Sequence, residues 1–148
     1  MTRRPTPYPP GTPAEKLAAM RKHSTPIAGS GMSEEEAMAI YRDSDNESIA
    51  IVRNWFIFEN HFDHFEWPQV PDYSIVKPFK MFVGHIIADR KCRDLGLSYV
   101  TTYMRFFERK CIFITANSTY LLLGEGRMVN DYSAVLNEPN SISRTLFP

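Results

Sequence analysis

The sequence predicts a mostly α fold, a compact bundle of four to five helices preceded by an extended, proline-rich N-terminal arm. Three observations lead there. Hydroxyl residues followed three positions later by glutamate recur at Thr12, Ser33 and Ser44, each a helix-opening signature. Two long stretches repeat apolar residues every three or four positions. A hydrophobic content of 43%, with 13% aromatics in 148 residues, is enough to pack one domain.

The chain opens with TRRPTPYPPGTP, five prolines in twelve residues, which favours extended backbone over helix or sheet interior. Thr12-Pro13-Ala14-Glu15 reads as a cap, a proline at the first helical position and a capping-box glutamate. The short helix this predicts runs to about His23, and STPIAGSG after it reads as a flexible joint. Residues 1–31 are therefore expected to form an arm, 32–138 a helical domain and 139–148 a tail. Ser33-Glu-Glu-Glu36 opens a helix to about Asp43. Ser44-Asp-Asn-Glu47 opens a long one whose stripe is Ile51, Trp55, Phe58, Phe62 and Phe65.

A further helical pattern spans Ser74–Asp94, with Val76, Phe79, Val83, Ile86 and Ile87 apolar. The next stripe is Leu97, Val100, Met104, Phe107, Cys111 and Ile114. Its period is helical, although its residues individually prefer strands, and here period is taken over propensity. The alternative is an α+β fold with a hairpin near 111–123, in which Cys111–Thr115 pairs with Thr119–Leu123. A last helix is expected over Arg127–Leu136. Phe56 and Ile57 lie off the first stripe, which suggests a second covered side for that helix.

The formal net charge is zero, which argues against coating nucleic acid by bulk charge. The charge is uneven, however: +4 over residues 1–31, −7 over 32–66 and +3 over 67–148. Cys92 and Cys111 are the two cysteines, read as free thiols of a reducing compartment, with Cys111 a buried thiol on its stripe. No apolar run follows Met1 and none reaches transmembrane length, so a cytoplasmic chain, or one within a viral particle, is expected, with no membrane partner.

The densest group of metal-ligand residue types is Glu59-Asn-His61-Phe-Asp63-His64. It resembles in part the His-x-His-x-Asp-His signature of the metallo-β-lactamase superfamily, with glutamate in place of the first histidine. That resemblance implies a metal-dependent hydrolase using Glu59, His61, Asp63 and His64. The family sets its motif after a strand in a larger sandwich, with further histidines downstream. Here the pattern reads as helix and such histidines are missing. A solvated helix face is the preferred reading, with no catalytic residue, metal or cofactor.

The function expected first is that of a non-enzymatic assembly subunit, of a homo-oligomer or a larger complex such as a viral particle. Its arm would bind neighbouring subunits through Arg3, Arg4, Tyr8, Leu17 and Met20, with Phe56 on the receiving helix. The runner-up is nucleic-acid binding. Lys16, Arg21 and Lys22 would act with a basic edge of Arg90, Lys91, Arg93, Arg105 and Arg109 to neutralise phosphates. Whether nucleic acid is a partner, and which protein is, the sequence leaves open.

Overall fold

The computed structural model describes Pro9 and residues 11–59, 78–91 and 99–137. Among these residues strand accounts for 44% and helix for 24%, in a curled mixed sheet with three helices, which overturns the expected helical bundle. The elements are α1 (Pro13–Lys22), β1 (Ser24–Pro26), α2 (Glu34–Asp43), β2 (Ile49–Glu59), β3 (Phe79–Asp89) and β4 (Tyr99–Val100). They continue with β5 (Met104–Glu108), β6 (Ile112–Thr115), β7 (Thr119–Leu122), β8 (Arg127–Val129) and α3 (Tyr132–Leu136).

The sheet is built around β2. One edge of β2 pairs antiparallel with β3 along its length. The other edge pairs in parallel with β7 over Ile49–Val52, then with β8 over Phe56–Phe58. β1 adds antiparallel to β8, while β7, β6 and β5 follow one another antiparallel on the far side. β4 pairs with β3, and the backbone N–H of the following Thr101 donates to the Met81 carbonyl at 2.9 Å. The chain then passes into β5, so the sheet curls round an interior. That interior holds Val52, Trp55, Ile57, Met81, Val83, Ile86, Phe113, Tyr120 and Leu122. On the outer face, α1 and α3 cover Phe56, Phe58 and Phe82, and α2 covers Ile49, Ile51 and Leu121.

This double cover explains why the long helix expected from Asp45 is a strand. A strand buried on both faces reads as a near-continuous apolar run, which IAIVRNWFIF is. The stripe Ile51, Trp55, Phe58 is not one face: Trp55 points inward, while Ile51 and Phe58 lie in two separate outer clusters. The capping box read at Ser44–Glu47 is spent differently. Ser44 Oγ accepts from the Asn46 N–H and Asn46 Oδ1 accepts from the Ser48 N–H, which closes a turn into β2 in place of a helix.

The other helical stripes also fall on strands. Within Ser74–Asp94 the described residues 78–91 hold β3, and within Leu97–Ile114 the described residues 99–114 run through β4, β5 and into β6, while Val76 and Leu97 lie outside the described residues. Residues 112–115 and 119–122 form an antiparallel hairpin, with Phe113 opposite Tyr120. The segment 127–136 divides into β8 and the single-turn α3, whose cap Asp131 accepts from the Ala134 N–H. The first two helices are those the caps indicate. Thr12 and Glu15 satisfy each other's backbone N–H groups, and Ser33 accepts from the Glu36 N–H. No helix among the described residues is long and apolar enough to cross a membrane.

Candidate functional site

Among the described residues, α1 and β1 dock on the sheet through an extended non-local contact. Met20 is wholly buried, with Ala19, against Phe56, Phe58, Phe82, Val129, Tyr132 and Val135. Phe58 stacks on Tyr132 with ring centroids 3.9 Å apart, so Met20 meets an aromatic floor. A methionine buried this fully contributes about 1.5–3 kcal/mol through removal from water. Leu17 lies over Gly84, where an added Cβ would come within 2.9 Å of a Leu17 methyl and 2.6 Å of the Asn54 carbonyl oxygen. α1 therefore rests on bare backbone at that point.

β1 completes the dock. Ser24, Thr25 and Pro26 lie opposite Val129, Met128 and Arg127. Arg127 clamps the strand, donating from Nε to Ser24 Oγ at 2.8 Å and from Nη2 to the Ser24 carbonyl at 3.0 Å. The link to the rest of the fold, Ile27–Gly31, carries glycines 29 and 31 at φ 73° and 84°. Gly31 passes so close to Gly124 that a Cβ would stand 1.9 Å from the Gly124 carbonyl oxygen.

Of the expected partner-binding residues, Leu17, Met20 and Phe56 come together in this one cluster. Arg3, Arg4 and Tyr8 lie outside the described residues, as does Arg93. The cations of the runner-up reading are dispersed. Arg21 stands 5.9 Å from the Phe56 ring centroid, and Lys16 and Lys22 sit elsewhere on α1. Arg90 donates to the carbonyls of Tyr41, Ser44 and Asn46 and lies over the Tyr41 ring, so it ties the C-terminal end of α2 to β3. Lys91 Nζ donates to the Asn117 carbonyl at 2.9 Å. Those two border a cleft of about 470 Å³ with Glu47 and Ser48. Arg105 and Arg109 are on the β5–β6 hairpin, away from the β3 terminus in sequence and element.

The metal-motif residues His61, Asp63 and His64 lie outside the described residues, and Glu59 is the exposed last residue of β2. Among the described residues no three His, Cys, Asp or Glu side chains are grouped to hold a metal ion. Cys111 is half-buried in the turn just before β6. Burial pushes its thiol above the ordinary cysteine value, opposed by nearby Arg109 and reinforced by Glu36, so it is a poor nucleophile at neutral pH. Arg53 and His85 are set side by side by the register of β2 and β3. No local signal could pair them, because 32 positions of chain separate the two.

By architecture the molecule is a curled mixed sheet with helices on its outer face and an N-terminal helix and strand docked across one end. The chain belongs to the family described as Domain of unknown function (DUF6957), whose model matches residues 28–137. No curated protein and no solved structure matches it. The match begins after α1 and β1, so the docked segment lies outside the matched domain while covering its aromatic face.

Proposed function

We propose that the protein is a non-enzymatic assembly subunit whose N-terminal segment engages neighbouring copies through the same dock it uses on its own sheet. One observation carries this reading. α1 and β1 make a discrete apolar and β-ladder interface with the family domain, and they reach it through a glycine-containing link. A segment exchanged between copies remakes every contact of α1 and β1 on the neighbour, and the cost falls on the link, where the Ile27 and Gly31 N–H groups donate to the Gly126 and Lys110 carbonyls and Ser30 Oγ accepts from the Gly126 N–H. Specificity comes from the Ser24–Pro26 ladder and the Arg127 clamp, and affinity from Met20 and Leu17.

The experiment traps the dock covalently. Thr25 and Met128 are opposed across β1 and β8, so Thr25→Cys with Met128→Cys, in a chain with Cys92→Ser and Cys111→Ser, places two thiols at bonding range. Oxidation at rising protein concentration is expected to yield disulfide-linked dimers as a growing fraction, measured on non-reducing gels. Disulfides confined to single chains at every concentration would show the segment to be purely internal and would remove the proposal.

A further inference from the structure

β2 and β3 are buried almost throughout, and their exceptions coincide. Within these two fully described strands, Arg53 is the only exposed residue of β2 before its terminal Glu59, and His85 is the only exposed residue of β3. The two are direct partners in the antiparallel register. Opposed side chains on such a ladder have Cβ atoms about 4.5–5.5 Å apart, and like charges there are unfavourable. Neither side chain has a hydrogen-bond or ion-pair partner among the described residues.

A slip in side-chain alternation puts them there. Two inward pairs, Val52–Ile86 and Trp55–Val83, have two residues of each strand between them. Strict alternation allows one outward pair between inward ones. Asn54, held at φ 55°, absorbs the extra residue, and Gly84 opposite it leaves room for its backbone and side chain. Arg53–His85 and Asn54–Gly84 thus share the outer face, at the gap between the α1 and α2 covers. Arg21 reaches Asn54 from α1: its Nη2 donates to Asn54 Oδ1 at 3.4 Å and its guanidinium lies 5.9 Å from the Phe56 ring centroid. That bond uses one of the five guanidinium donors.

We infer that Arg21, Arg53 and His85 form a binding site for a single phosphate group, free or carried by a small molecule. Two guanidiniums and an imidazole offer forked donors to a dianion, the geometry in which arginine recognises phosphate. The site spans two neighbouring positions of the ladder, Arg53–His85 and the adjoining Asn54 that Arg21 reaches. A nucleic-acid backbone requires cations repeated along successive phosphates, so a small ligand fits the arrangement better.

The test is titration of the full-length, ¹⁵N-labelled chain with inorganic phosphate and, separately, with glycerol 3-phosphate. Sodium chloride of matched ionic strength serves as the control. Saturable shifts centred on Arg21, Arg53 and His85 are expected, and the tighter of the two ligands identifies free phosphate or a phosphomonoester as the source. Arg53→Gln should weaken binding at least tenfold, and Arg53→Lys, which keeps the charge without the fork, by less. Arg42→Gln, an exposed cation on α2, should leave affinity unchanged. Retained peak dispersion in each variant checks its fold. The inference is overturned if no saturable shifts appear, if chloride reproduces them, or if Arg53→Gln and Arg53→Lys both bind as the parent does. It is also overturned if a 20-nucleotide single strand binds far more tightly with shifts spread over Arg105 and Arg109, which would make this a nucleic-acid surface.

Discussion

Trp55 shows how single positions hold the curl of the sheet. Its indole lies in the interior, edge-on to Phe107 at 6.1 Å, and Nε1 donates to the carbonyls of Leu123 at 3.1 Å and Gly124 at 3.3 Å. Those carbonyls belong to the connection between β7 and β8, the two strands that share one edge of β2. The ring is admitted because position 126 lacks a side chain: a Cβ at Gly126 would lie 2.3 Å from two ring carbons. Three contacting atoms of a rigid, buried indole cannot move aside cheaply. Gly126→Ala is therefore expected to destabilise the protein by about 1–3 kcal/mol, an overpacking cost. Urea unfolding followed by tryptophan fluorescence measures it, and an unchanged midpoint would show that the β7–β8 connection yields freely.

At the scale of elements, local chemistry was legible, as was the short-range hairpin of β6 and β7 offered as the alternative near 111–123, whereas long-range pairing was not. The caps of α1 and α2 are written in adjacent residues, Thr12 with Glu15 and Ser33 with Glu36, so both helices could be read directly. β2 could not, because burial on both faces and the slip at Asn54 turn its alternation into a 3–4 spacing that imitates a helix. The β5–β6 turn carried no signal either. Arg109 and Lys110 both adopt positive φ, 49° and 57°, beneath a bond from the Cys111 N–H to the Glu108 carbonyl at 3.0 Å. Such turns ordinarily use Asn-Gly, which meets left-handed backbone without the Cβ penalty. Arg109→Asn with Lys110→Gly should stabilise the protein by about 1 kcal/mol, seen as a higher Tm by circular dichroism. A lower Tm would mean that the two cations make contacts worth more than the backbone strain. The Arg53–His85 pair was hidden for the same non-local reason, since only the register of β2 on β3 brings it together.

Over the whole molecule, the question is how much of the fold depends on the segment before residue 28. The sequence suggests an arm that adds little to the core, whereas the burial of Met20 gives the segment a share in the outer cluster. The inner cluster is built entirely from strands β2, β3, β5, β6 and β7, all within the matched domain. Removal of residues 1–26 thus leaves the interior intact but uncovers Phe56, Phe58 and Phe82. A chain starting at residue 27 should keep a strand-dominated circular dichroism spectrum and a shielded Trp55. Its Tm should fall by about 6–25 °C, since loss of Met20 and Leu17 contacts removes about 2–5 kcal/mol. Binding of the dye ANS should rise as the aromatic face is exposed. A peptide of residues 9–26 added in trans should reverse both changes, because the dock is discrete and its ladder short. Loss of all ordered structure on truncation would place α1 in the obligate core. A Tm that does not move would reduce the dock to a surface contact, too weak to join one copy to another.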